Sequence, residues 1–498
     1  MTELWNANAH ADLESDRAMI QAAVDEAARA GREAVVPAVN ARTGRRVWDM
    51  DGTVYLPSGC HLHLEGAHLR MADGALGRMF QNRNCLTPLG CTLEGRQRDI
   101  SIRGTCGAVL DGGEYPGWSE KSWGVPGVPR ACDQMLLCLH NAEDIRIEGL
   151  TVRDARYYAM CFMFCSRAVL RDLTFESHCN VPNQDGIDIH IGCSDFLVED
   201  IRGCSGDDMV AVTTLDYNIM VEARVEGLSR DIHDVMIRNL RVFSANGCAL
   251  VRILNHDGYR IWNVTVDGVY ETSPWSEKDA VTAPNPDLCG ELDGEHRFVL
   301  RRRQTLGEFG YRTDAAVRIG ENFWYGDHPA EPGDTWGITV KNVATHAQSA
   351  VTVCSTLWDS RIEHVRLFGN GFRAVLFNNG DVRNLTVRDV AWTEECRPHR
   401  EDGRIDIGWN GTHTRGLSAV YFSGTRARNL RFEDMYVGHG HGCVFGGYGD
   451  VELLAEKVGA MDGGTKLTED ADVSPSLRDR YLLRLRKTEE EKSGIESF

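Results

Sequence analysis

Long apolar runs are missing from this chain. No stretch approaches the roughly 18 consecutive apolar residues of a membrane-spanning helix, so no membrane partner is expected. The opening MTELWNANAHADLESDRAM has no basic start followed by an apolar run, so it does not read as a secretory signal. No Cys-x-x-Cys pair occurs, which argues against a zinc site of the usual spacing. Positive charge is also short: 54 Lys and Arg stand against 73 Asp and Glu, a formal net charge of -19. That balance disfavours nucleic acid or an anionic membrane as the main partner, because both reward clustered Lys and Arg.

What is present suits a folded protein. Hydrophobic residues make up 42% and charged residues 26% of 498 positions, enough for two or three average domains or one long repetitive one. The sixteen cysteines are scattered, several inside apolar, strand-like segments (Cys138, Cys161, Cys165, Cys354). Without a signal they read as reduced core thiols, and a cytoplasmic location is expected.

A short phrase recurs along the chain: apolar, x, apolar, x, small or polar, apolar, often with Asn, Asp or Gly just before the last position. Copies are Ile145 to Leu150, Val169 to Leu173, Leu197 to Ile201, Val235 to Leu240 and Val264 to Val269. Further copies are Ile338 to Val343, Ile362 to Val365, Leu385 to Val390 and Leu430 to Met435. His61 to Ala67 and Ile100 to Thr105 look like earlier ones. Their last residues are separated by 23, 28, 39, 29, 74, 22, 25 and 45 positions. The short steps indicate a stacked repeat, and the longer ones the same unit with inserted loops. Period-two alternation and Val, Ile, Leu and Thr make each phrase a strand. A strand that returns after a full coil pairs in parallel. The expected fold is therefore all-β, a single-stranded right-handed parallel β-helix over residues 1–473.

Residues 15–31 predict an amphipathic helix, capped by Ser15 or Asp16 and stopped by Gly31, that covers the open N-terminal edge. Residues 270–335 read as one long insertion over a face. Residues 474–498 read as a charged, helix-compatible tail: a second cap or an oligomer contact. Homo-oligomerisation is left open.

The chemistry-bearing stretch is NQDGIDIHIG followed by SGDDMVAV. Asp185 and Asp207 are 22 residues apart, one short coil step, which predicts that they share a face on neighbouring coils. Asp188 and Asp208 lie beside them. Carboxylates converging on one patch repel each other and raise at least one pKa. Glycoside hydrolysis needs one protonated acid and one ionised base or nucleophile, which such a cluster supplies. Asp-Gly and Gly-Asp-Asp are equally ordinary turn residues, and a calcium site is another use for such carboxylates.

NQDGIDI and SGDDMVAV resemble the NTDGxD and GDDxxAI motifs of glycoside hydrolase family 28, the polygalacturonases and their relatives, within the pectin-lyase-like superfamily. LDGGEYPGW, from Leu110 to Trp118, resembles the family's glycine-rich phrase, and the order of coils from Ile145 through Val212 follows it. The resemblance covers about residues 15 to 270. It implies that Asp207 is the general acid, that Asp185 and Asp208 activate water, that Asn183 supports the site, and that the anomer inverts. It implies no cofactor and no metal.

Two family features are absent. TTLDYNIMVEARVEGLSRDIHDV carries no Gly-His-Gly, and His233 is its only histidine. CALVRILN offers Arg252 for a substrate carboxylate, but Leu254 stands where the family has lysine. A neutral sugar or a different acidic one therefore competes with galacturonide. Asp188, His190, Arg252 and Trp118 are the further substrate-binding candidates. The expectation is an inverting, exo-acting glycoside hydrolase on short oligosaccharides. A non-catalytic carbohydrate-binding β-helix and a β-helical lyase or fructan-type transferase are the alternatives.

Overall fold

The computed structural model describes residues 5–114, 130–177, 183–216, 218–245, 247–273, 291–292, 298–299, 313–320, 328–368, 373–392, 404–407, 412–415, 418–437, 443–460 and 480–485. The chain divides into two compact units. One is Met1–Ala211 with Leu215–Val235 and Asn285–Phe309; the other is Val212–Thr214 with Met236–Pro284 and Gly310–Phe498. Each is built from coils of a right-handed parallel β-helix, the hand expected for parallel crossover connections.

Strand pairing follows the repeat. In the first unit Ile147 pairs with Leu170, 23 positions on, and Leu170 with Val198, 28 on. In the second, Val266 pairs with Val340, Val340 with Ile362, Ile362 with Val387 and Val387 with Phe432. These are the 74, 22, 25 and 45 steps of the phrase. The stacked side chains are buried. Each such aliphatic or aromatic side chain contributes about 1.5–3 kcal/mol relative to exposure.

The residue before the end of each phrase has a structural cause. Gly66, Gly149, Asp172, Asp200, Asn239, Gly268, Asn342, His364, Asp389 and Asp434 all have φ between 51° and 91°. That left-handed region favours Gly and tolerates Asn and Asp. A second left-handed corner lies five residues earlier, at Asp144, Arg167, Asp195, Asp234, Asn263, Gly337, Asp359, Asn384 and Asn429. Each coil therefore bends twice around a four-residue strand segment, and the sequence phrase captured only the second bend.

The N-terminal helix runs Asp16–Ala30. Ser15 accepts the Ala18 N–H, and Gly31, at φ 59°, closes the C-terminus. Asp16 does not cap but is buried, binding Arg42 and the Asp49 N–H.

Two expectations need correction. The stretch 270–335 is not one insertion, because the strand Ala315–Ile319 pairs with both Val251–Leu254 and Ser349–Val353. Its apolar Ala-Ala-Val-x-Ile run supplies a strand of the stack. The tail is not helical where it is described. Arg480–Leu485 is a strand antiparallel to Val451–Glu456, satisfying edge N–H and C=O groups that a helix would leave unpaired.

Candidate active site

The aspartates sit where strands begin. Met160 donates its N–H to Gly186 O (3.1 Å) and has Ile187 as register partner. Ile187 in turn donates to Met209 O (2.9 Å), so the same offset sets Ile187 against Val210. Two positions earlier the ladder is irregular, on coils about 4.8 Å apart. The Gly186 N–H to Asp208 O bond (3.0 Å) sets Asp208 opposite Asp185, while the Asp207 N–H to Gln184 O bond (3.2 Å) sets Asp207 opposite it. The 22-residue spacing pointed to Asp207 on the coil next to Asp185; the backbone bonds bring both Asp207 and Asp208 there, two residues against one.

The glycines of the two motifs serve close approach rather than a left-handed bend. A Cβ on Gly186 would lie 2.6 Å from Met209 O, and one on Gly206 would lie 2.4 Å from Gln184 Oε1. Gln184 is a positioning residue that the sequence reading passed over, although it lies inside the motif. Its carbonyl accepts from both Gly206 N (2.9 Å) and Asp207 N (3.2 Å), and its side-chain amide donates to Ala155 O (2.7 Å). Ser205 Oγ donates to Asp207 O (2.7 Å). The turn carrying Asp207 is thus tied to the coil carrying Asp185.

The three carboxylates differ in access. Asp185 is 6% and Asp208 2% exposed, whereas Asp207 is half-buried. The Asp208 N–H donates to Asp207 Oδ1 (2.9 Å), which orients that carboxylate. Asn183 precedes them at φ 55°, half-buried in the turn.

Asp188 and His190 lie on the same strand end but are fully buried. Asp188 pairs in register with Cys161. His190 stacks on Tyr158 at 5.7 Å, and its Nε2 is 3.5 Å from Asp188 Oδ1. Burial drives the His190 pKa down to about 3, so the ring is neutral. Their partners Tyr158 and Cys161 belong to a packed cluster with Tyr157, Cys138, Phe164, Ile219 and Met220. Trp118 lies outside the described residues.

Arg252 belongs to the second unit, on the strand Val251–Leu254. It pairs in register with Arg318, whose guanidinium holds Asp314 at 2.7 Å. Leu254, at the family's lysine position, is buried.

The family model described as Glycosyl hydrolases family 28 matches residues 93–227. No curated protein matches the chain. Among solved structures, a hyperthermoactive exopolygalacturonase from Thermotoga maritima aligns at 13% identity and TM-score 0.46, over 97% of this chain and 94% of that one. A family 28 exopolygalacturonase from Yersinia enterocolitica aligns at 12% identity and TM-score 0.44, over 94% and 79%. PfbA, a surface adhesin of Streptococcus pneumoniae, aligns at 11% identity and TM-score 0.44, over 95% of both. The segment that carries Asp185, Asp207 and Asp208 is thus the segment in which this chain is similar to the glycosyl hydrolases of family 28.

Proposed function

We propose that this protein is a glycoside hydrolase that inverts the anomeric centre and removes terminal units from short oligosaccharides. The observation that carries the reading is the juxtaposition of Asp207 and Asp208 with Asp185 on the neighbouring coil, inside the segment similar to family 28. Asp207, the most accessible of the three, protonates the leaving oxygen. Asp185 and Asp208 take the proton of the attacking water on the opposite face of the sugar. Inversion requires room for that water, about 6.5–9.5 Å between acid and base. Arg252 is the candidate cation for an acidic sugar, and Leu254 in place of lysine keeps neutral sugars in contention. A cytoplasmic setting fits exo-action, because imported fragments are short.

The test is Asp207→Asn. The variant keeps the wild-type circular dichroism and loses about two to four decades of kcat on an oligosaccharide that the wild type cleaves. NMR of the first product anomer reads inversion directly. Undiminished turnover in the variant, or a product with an unsaturated sugar, would sink the assignment.

A further inference from the structure

The first unit also holds a buried nest of sulfur that the proposed hydrolysis does not use. Cys85 Sγ lies 3.8 Å from Cys138 Sγ, although 53 residues separate them in sequence. On the other side, Cys161 is the register partner of Cys138 on the next coil and is hydrogen-bonded to it. All three are free, buried thiols. Arg78 lies against them, itself only 7% exposed. Its Nη1 donates to Gln81 (2.9 Å) and its Nη2 to Asp133 (2.9 Å), while its buried Nε has no hydrogen-bond partner.

Arg78 shares its one carboxylate partner. Arg78 and Arg130 share the single carboxylate of Asp133. The second partner of Arg130, Glu222, is half exposed and screened by water.

We propose that Cys85 and Cys138 form a two-coordinate site for a soft monovalent metal ion of the Cu(I) class. Thiolates select soft ions. The three sulfurs of the nest do not all lie within 4.8 Å of one another, so they do not offer three- or four-fold coordination. That disfavours Zn(II), which takes four ligands in closed sites. Both nitrogens of the neighbouring His140 are engaged, one accepting from the Leu86 N–H and the other donating to Ala223 O. Binding expels the two thiol protons and leaves a bis-thiolate complex of charge minus one, matched by the Arg78 guanidinium. A divalent ion would give a neutral complex and forgo that match. A further thiol pair, Cys165 and Cys193, is committed to the backbone at Leu139 O, Met163 O and Phe162 O.

The experiment is anaerobic titration of the reduced full-length chain with Cu(I) against bathocuproine disulfonate. One copper per chain is retained, and X-ray absorption gives a first shell of two sulfurs. Cys138→Ser abolishes retention, Cys193→Ser preserves it, and Arg78→Met weakens it by about 10–100-fold, the usual scale for an outer-shell group. Failure of the wild type to compete, nitrogen or oxygen in the first shell, or full retention in Cys138→Ser overturns the proposal. Should Cys138→Ser misfold, the wild-type absorption spectrum and Arg78→Met decide it.

Discussion

Acidification places a proton on an unfolded histidine long before it can protonate His190 in the folded chain. The ring is buried against Tyr158, and burial lowers its pKa from 6.5 to about 3. Because the folded value is the lower one, the unfolded state binds more protons below pH 6.5. The contribution of His190 to stability is therefore complete above that pH and is lost progressively as the pH falls toward 3. One pKa unit corresponds to about 1.4 kcal/mol, so between pH 7 and pH 5 this group alone removes roughly 2 kcal/mol. The assay is urea unfolding at both pH values for the wild type and for His190→Phe, which keeps a ring to stack on Tyr158 but cannot titrate. The wild type loses about 2 kcal/mol more than the variant over that interval. Equal losses would show that His190 accepts a proton inside the fold and would refute the reasoning. Asp188 Oδ1, at 3.5 Å, is the group that would have to hold it.

Substitutions at two positions test the backbone logic. Gly206→Ala pushes a methyl group into Gln184, costs about 1–3 kcal/mol in urea unfolding, and lowers kcat by displacing the turn that carries Asp207; an unchanged kcat would remove Gln184 as a positioning residue. At the left-handed corner Asp200, φ 58°, alanine and glycine both delete the side chain, so their difference isolates the backbone: Asp200→Ala is less stable than Asp200→Gly by about 1 kcal/mol in chemical denaturation, and equal stabilities would show that the corner relaxes.

The coil architecture was legible because it is written at every repeat. An apolar alternation ends in a residue that tolerates positive φ, and Asp172, Asp200, Asn239 and Asn342 meet both requirements. The corner five residues earlier carries the same signal, at Asp144, Asp195, Asp234, Asn263 and Asn384 with Arg167 as an exception, but it lies ahead of the apolar alternation that marks the phrase. The strand Ala315–Ile319 was hidden for another reason. Five apolar-rich residues between long polar stretches look like an insertion until their partners Val251–Leu254 and Ser349–Val353 are known. At the site, the motif letters marked the carboxylates and nothing more. His190 stacks on Tyr158 and Asp188 lies in register with Cys161, residues of the preceding coil whose contribution no local pattern announces.

Register explains why counting residues between motifs reached Asp207 but not Asp208 beside it. A coil step measured between motif letters is an integer, but the step measured in the ladder is set by whichever residue the hydrogen bonds choose. The bond Ile187 N to Met209 O runs at a step of 23, while Asp207 N to Gln184 O runs at 22, so the step changes at Asp185. That one-residue change brings two carboxylates opposite the single Asp185. Asp208 is buried there, while Asp207 keeps its access. The same bookkeeping brings Cys138 onto Cys161, 23 residues later, and no spacing rule for cysteines within one loop would find that pair. In a stacked fold, chemistry is assembled across coils, so the informative distance between two functional residues is the ladder step and not the gap inside a motif.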